Sequence, residues 1–255
     1  MPSGSIERGN NVGIRLIFDS FADLIGRCEI ATVRQAGAKE DYDEGAVVPV
    51  DDWQPLTREE ADRFQASDAT ETGRLVELVR CELPLFGAGE HSRRDAAAEL
   101  DPLDGRWPTE LLGCVVNRGG LTTTTRDHSI DQRIGLHVDN FDRRPQAARH
   151  RSRRRLGLNL GPGPRYLLLG DRDIQEICQE LYGVAAVENW PHTDDVRRYV
   201  AEGRPLRCLR IRLEQGDGYL APTELLPHDG STLGTDVPST AAFWLGLEQP
   251  EPPRP

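Results

Sequence analysis

The chain has one methionine, a single lysine (Lys39) and five cysteines scattered at 28, 81, 114, 178 and 208. No two of the cysteines form a C-x-x-C pair, which argues against both a disulfide framework and a zinc ribbon. The scarcity of lysine beside abundant arginine reads as a coding bias. No apolar run approaches the roughly 18 residues that a membrane-spanning helix needs. The N-terminal MPSGSIERGNN lacks the charged-then-apolar layout of a secretory signal. No internal repeat or low-complexity linker divides the 255 residues, and a formal net charge of −11 argues against general affinity for nucleic acid or an anionic membrane. The expectation is a soluble, cytoplasmic protein of one domain over 1–255. Its 37% hydrophobic content suffices for one core in a loop-rich fold.

Several elements are legible in order. Val12–Asp19 reads as a strand, Ser20–Cys28 as a short helix and Ala46–Val50 as a short edge strand. Thr57 and Glu60 form a capping box that opens the clearest helix. Its apolar positions Ala61, Phe64, Leu75, Leu78 and Val79 fall near helical spacing, with a break near Gly73. Arg93–Leu100 suggests a further helical turn, and Glu110–Val116 a strand or a short buried helix. Four consecutive threonines favour an extended chain over Leu121–Asp127, read first as a half-buried strand with solvated hydroxyls and second as one whose hydroxyls on one face line a pocket. Asp171–Tyr182 and Thr193–Glu202 read as packing helices. Leu209, Ile211 and Leu213 alternate with Arg210 and Arg212. Gly216-Asp217-Gly218 reads as a turn in which Gly218 takes a positive φ, and Ala241–Leu247 as a last strand. Residues 1–11 and 248–255 read as disordered.

The chemistry concentrates between Gly135 and Gly170. In an extended chain Leu136 and Val138 face one way, and His137 and Asp139 the other. An imidazole and a carboxylate two residues apart on a strand can converge on one point. That is two-thirds of the two-histidine, one-carboxylate triad that holds Fe(II) with three positions open. It needs a distant second histidine. An arginine run follows (149, 151, 153, 154, 155). It lacks the interleaved aromatics of a base-stacking surface and reads mostly as a solvated loop. The last of the run enters a strand on which Arg155, Gly157 and Asn159 share one face, while Leu156, Leu158 and Leu160 share the other. An inward-facing arginine is costly unless it meets an anion. Gly161-Pro162-Gly163-Pro164 reads as a tight turn joining that strand to Arg165–Leu169 in a hairpin. It is no phosphate loop, because no G-K-[S/T] follows and proline removes backbone donors.

His137-Val138-Asp139, the Gly216-Asp217 turn and His228 shortly after Pro227 together resemble the Fe(II)/2-oxoglutarate-dependent oxygenases. The resemblance covers roughly 110–247. It implies a mainly β fold, a double-stranded β-helix (jelly roll) with flanking helices. The jelly-roll core would span 110–247, flanking helices and strands 1–109, and a tail 248–255, with helices over 171–202 as an insert. It also implies that His137, Asp139 and His228 bind Fe(II), with 2-oxoglutarate as co-substrate and O2 as oxidant. Many family members place an arginine ten to fourteen residues after the distal histidine to bind 2-oxoglutarate. Here Pro238–Ala242 holds no basic residue. Other branches draw the cation from the strand after H-x-D, which points to Arg155 with Asn159 beside it. The small Gly157 would leave room between them, and Arg165, Arg210 and Arg212 are fallbacks. In related halogenases a small residue replaces the carboxylate, so Asp139 implies hydroxylation, desaturation or ring formation. The implied partner is a small amino-acid-like, peptidyl or specialised-metabolite substrate, with no nucleic acid or membrane. The alternatives are a cupin-like metal-binding protein, which would want more histidines on the metal strand, a non-catalytic jelly-roll binding module, and a nucleic-acid binder using the arginine run. His91, His128, His150 and His192 read as surface or packing residues.

Overall fold

The computed structural model describes residues 13–83, 95, 97–103, 105 and 109–246. The expectations for 1–11 and 248–255 lie outside the described residues, as do positions 93, 94 and 96 of the helical turn expected at Arg93–Leu100, whose residues 95 and 97–99 are helical. The elements in chain order are β1 (Arg15–Ile17), α1 (Phe21–Arg27), β2 (Cys28–Gln35), β3 (Tyr42–Pro49), β4 (Gln54–Pro55), α2 (Arg58–Phe64) and β5 (Leu75–Arg80). There follow β6 (Thr109–Asn117), β7 (Arg126–Asp127), β8 (Gln132–Gly135), β9 (Arg155–Pro162), β10 (Arg165–Gly170), α3 (Ile174–Tyr182) and α4 (Thr193–Ala201). β11 (Arg207–Leu213), β12 (Asp217–Ala221), β13 (His228–Ser231) and β14 (Ser239–Gly246) complete the chain.

The protein is mainly β, built on two mixed sheets. One runs β1-β5-β12-β9-β14-β6, and the other β13-β10-β11-β2-β3-β8-β7 with β4 against β2. Among the named strands of the described residues, the β1–β5 and β3–β8 pairings are parallel and the rest antiparallel. The second sheet is curled. Beyond β8 the chain bends at Gly135 (φ 68°), and His137 makes an isolated antiparallel bridge to His228, the first residue of β13. The segment after β8 thus lies against the opposite edge strand of its own sheet. Among the described residues no helix is long and apolar enough to cross a membrane.

Period-two alternation decides what each sheet face meets. On β10 and β11, Leu167, Leu169, Leu209, Ile211 and Leu213 point between the sheets and pack with Tyr219 and Ala221 of β12. Leu168 and Cys208 point the other way, onto Ile174, Ile177, Cys178, Val196 and Tyr199 of α3 and α4. Each such buried aliphatic chain contributes about 1.5–3 kcal/mol. Leu156, Leu158 and Leu160 of β9 face a third cluster with Ala242 and Trp244. The opposite face of β9, carrying Arg155, Gly157 and Asn159, therefore looks between the sheets, as the alternation required.

The helix caps follow the sequence. Ser20 caps α1, and Thr57 and Glu60 form the capping box of α2. Other expectations are corrected. Leu75, Leu78 and Val79 belong to β5 rather than to a continued helix. The helix ends at Phe64, because pairing with β12 and β1 outweighs an apolar spacing compatible with either structure. The strand β2 was not foreseen, and it places β3 between β2 and β8 instead of at an edge. Residues 121–125 form no strand. β9 and β10 form no hairpin, since β9 pairs with β12 and β14 while β10 pairs with β11 and β13. The Gly163 N–H donates to the Pro238 carbonyl and the Asn159 amide to the Gly163 carbonyl, so the turn passes from one sheet to the other. The positive φ of the Gly-Asp turn belongs to Gly216 (87°), while Gly218 is a strand residue whose Cβ would lie 2.6 Å from the Gly157 carbonyl oxygen.

Two outcomes are expected of these elements. A Cβ at Gly135 would run into the Val47 carbonyl oxygen, at a φ that L-residues rarely adopt. Gly135→Ala should lower urea-measured stability by about 1–3 kcal/mol, whereas Gly26→Ala, with open space around it, should be near neutral. In the first turn of α3, burial and the neighbouring Asp173 push the Glu176 carboxyl up to about 7. The folded state then keeps a proton that the unfolded chain releases near pH 4.5. This stability is complete below that pH and is lost as pH rises through about 7. Glu176→Gln keeps an acceptor for the Asp173 N–H and should remove a loss of about 1–3 kcal/mol between pH 5 and 8 in denaturation curves.

Candidate metal centre

His137 and His228 meet through two backbone hydrogen bonds, His137 N to His228 O at 3.1 Å and His228 N to His137 O at 2.8 Å. Each imidazole Nδ1 lies against the carbonyl two residues before it, Gly135 O at 2.9 Å and Leu226 O at 3.0 Å. A carbonyl only accepts, so each Nδ1 carries a hydrogen, which leaves Nε2 as the nitrogen that can offer a lone pair to a metal. The rings stand 4.4 Å apart between centroids. Asp139 completes the group: its Oδ1 is 4.0 Å from His137 Nε2 and its Oδ2 3.6 Å from His228 Nε2. One ligand atom from each residue lies within 4.8 Å of the others, a spacing that could hold a metal ion.

The donor set fits a divalent cation. His228 Nε2 is buried without a hydrogen-bond partner among the described residues, an orphan that a metal bond would satisfy. Burial, reinforced by His137, pushes the His228 imidazole down to about 3, so it is neutral at ordinary pH. Burial alone would raise the Asp139 carboxyl, but the Arg155 guanidinium and the two imidazoles bring it to about 2. A neutral His228 imidazole and an ionised Asp139 carboxylate are protonation states that ligation requires.

A buried ion pair holds the two ligand-bearing segments in place. Arg149 Nη1 lies 2.6 Å from Glu224 Oε2 and reaches the Asp139 carbonyl at 3.4 Å, and Nη2 donates to Pro191 O and Asn140 Oδ1. Glu224 Oε1 accepts from Asp142 N, and Asp139 N donates to Thr223 O at 3.0 Å. The rest of the arginine run is also engaged: Arg153 pairs with Asp142 and Arg154 with Glu77. Apart from the exposed Arg151, this corrects the reading of a solvated loop. His150 is half-buried near Gln175 and His192 caps α4, whereas His128 lies at the mouth of the cleft described next.

A cleft of about 600 Å³ opens between β6 and the segment 121–133, with Arg155, Arg165 and Phe243 at its base. Arg155 enters as its strand face required, but its Nη1 is bonded to Asp139 Oδ2 at 2.8 Å and its guanidinium stacks on Phe243 at 4.4 Å. Arg165, on the strand beside β13, is 4% exposed. Its Nη1 has no partner among the described residues and its Nη2 reaches only Thr124 Oγ1 at 3.5 Å. The guanidinium lies where a Cβ at position 230 would be, 2.5 Å from Nη2, so Gly230 makes room for it. Asn159 is not part of the cleft: its amide donates to the Gly163 and Leu213 carbonyls, and its Oδ1 accepts from Gly161 N and Ser239 Oγ. The space over Gly157 is filled by Tyr219, whose Cζ lies 2.5 Å from where a Cβ would sit. Arg210 and Arg212 are turned to Glu29 and Glu214.

Sequence reasoning missed Asp229 and Tyr219, while the threonine hydroxyls it allowed to line a pocket do so at Thr124 and Thr125. Asp229 is buried beside His228, and its Oδ1 accepts from Thr124 N, Thr125 N and Thr125 Oγ1, while Oδ2 stands 3.9 Å from His137 Nδ1. The threonine run was visible as composition, but nothing local showed that its amides face a carboxylate a hundred residues away.

Alanine at His137 or His228 should lower the affinity for Mn(II) or Co(II) at least tenfold in calorimetric titration, with the circular dichroism spectrum unchanged. Undiminished binding in both variants would remove the site. Comparison of the sequence with protein-family models and with curated proteins returned no match, so the functional reading stands on geometry.

Proposed function

We propose that the protein is an Fe(II)- and 2-oxoglutarate-dependent oxygenase with a double-stranded β-helix core, acting on a C–H bond of a small-molecule or peptidyl substrate. One observation carries the reading. Two imidazole Nε2 atoms and one carboxylate converge beyond the base of the cleft, where a small cavity lined by His228, Arg155 and Arg165 adjoins it, and Arg165 there keeps a buried guanidinium nitrogen with no partner among the described residues. The strand order gives further support. β6-β14-β9-β12 run antiparallel within the six-stranded sheet, as β13-β10-β11 do in the other, where His137 bridges to the edge strand β13. A cupin-like protein would want more histidines than the two in this cluster.

In this reading His137, His228 and Asp139 hold Fe(II). With O2 and a 2-oxo acid, that ion supplies the oxidising power that side chains lack. Arg155 holds the Asp139 carboxylate by Oδ2, the oxygen nearer His228 Nε2, and leaves Oδ1, 4.0 Å from His137 Nε2, free of it. Arg165, rather than Arg155, receives the far carboxylate of 2-oxoglutarate. A buried guanidinium whose pKa burial lowers gains most from a fixed anion, and a bidentate pair gives direction as well as energy. Tyr219 and Phe243 wall the site against water. Asp139, as a ligand, takes the position that chloride would need, so the product is oxygenated or desaturated.

Succinate release from 2-oxoglutarate in the presence of Fe(II) and ascorbate is the direct test. Arg165→Ala should raise the 2-oxoglutarate KM tenfold or more, matching the roughly 1.5–3 kcal/mol of a lost charged hydrogen bond, with metal affinity nearly unchanged. Arg155→Ala should act chiefly on metal affinity. No succinate above the metal-free control would overturn the proposal.

A further inference from the structure

The charge on the cleft runs against the charge on the chain. The protein carries −11 overall, yet five arginines line the cleft and Asp41 is its one acidic lining residue among those described. They form two sets. Arg155 and Arg165 lie at the base. Arg118, Arg126 and Arg133 lie at the mouth. At the mouth, Arg126 Nη2 and Arg133 Nη2 share the same carboxylate, Asp41 Oδ2, at 2.7 and 3.6 Å. Asp131, which also pairs with Arg126, is 86% exposed and does not line the cleft. Arg133 is braced on the Tyr42 ring at 4.7 Å, so its guanidinium is held rather than free to swing. Arg118 is exposed and has no ion-pair partner among the described residues. Between the two sets the wall is β6, where Gly113 lies beside Phe243 and the exposed side chains of Leu112 and Val115 line the cleft.

We propose that the substrate oxidised at this centre is an elongated organic anion. Its carboxylate or phosphate is held at the mouth by Arg118, Arg126 and Arg133, and its apolar chain lies along β6 toward the metal. The inference rests on the reading of the triad as an oxygenase centre, in which Arg165 is taken by the co-substrate and Arg155 by Asp139. The mouth arginines then have no duty in the reaction except to the second substrate. Three guanidiniums set against Asp41 and Asp131 still leave one positive charge in excess at the entrance, which raises the local concentration of an anion and orients it with its far end inward. The volume of about 600 Å³ admits a chain of small-molecule size and not a polymer.

The test uses the full chain loaded with Mn(II), first titrated with 2-oxoglutarate, then with hexanoate, hexyl phosphate and the neutral hexanamide at saturating 2-oxoglutarate. Affinity and Mn(II)-induced proton relaxation are read by NMR. Hexanoate or hexyl phosphate should bind at least tenfold more tightly than hexanamide, and the stronger of the two names the anionic group. Their terminal methyl protons should relax faster than those beside the acid. The doubly substituted Arg118→Gln, Arg126→Gln protein should weaken the anion at least tenfold while Mn(II) and 2-oxoglutarate affinities stay within twofold. Arg118→Gln alone, at an exposed position, should give part of that loss without any risk to folding. Equal binding of hexanoate, hexyl phosphate and hexanamide, or anion affinity unchanged in both variants, would overturn the inference. Failure of 2-oxoglutarate to bind would instead strike the oxygenase reading, and it is seen before any probe is added. The probe comparison on the Mn(II) protein would still decide whether the mouth selects anions.

Discussion

The site depends on a seam. Two backbone hydrogen bonds between His137 and His228 join the segment after β8 to β13, the far edge of the same curled sheet. Everything metal-directed follows from that closure. The bridge sets the two Cα positions, and the carbonyls of Gly135 and Leu226, each two residues upstream, fix both rings in the same tautomer with Nε2 turned inward. Ligation needs rings that cannot rotate, and outer hydrogen bonds of this kind supply that. Gly135, at a φ open to glycine and not to L-residues, lets the chain turn the corner to reach the seam.

The second support is electrostatic. Arg149 and Glu224 form a buried pair that crosses from the segment after Asp139 to the segment before His228. A buried pair gives little net stability, because desolvation offsets most of the attraction. Its strength lies in geometry, since a planar guanidinium with several donors can tie Asp139 O, Asn140, Pro191 O and Glu224 at once. Lysine, with a single charged nitrogen, could not make the same set. The arginine run is thus a framework for the ligands as much as a surface feature, and Arg155, its last member, reaches the ligand carboxylate itself.

Much of this was legible locally. The H-x-D alternation put an imidazole and a carboxylate on one side, the β9 alternation sent Arg155 between the sheets, and the capping box at Thr57 marked a helix start. What failed was non-local. Whether Leu75–Val79 coil or extend depends on β12, more than a hundred residues downstream. Gly157 looked like free space because nothing in the sequence says that the Tyr219 ring lies across it. Asn159 shares a face with Arg155 but sits where the chain leaves one sheet for the other, and the turn consumes its hydrogen bonds. Arg165 could be named as a cation but not ranked, because its advantage is an unpartnered nitrogen that only the packed surroundings reveal.

The seam also changes what a bound cation would mean mechanically. A metal shared by both sides of the His137–His228 bridge would act as a rivet across the line along which the curled sheet can come undone. Its binding free energy would be added to the opening of that sheet and not to that of the β6-to-β1 sheet. Amide exchange near residues 135–139 and 226–231 would slow, while the distant strands kept their own rates. The two halves of the sandwich would then differ in lifetime although they share one core.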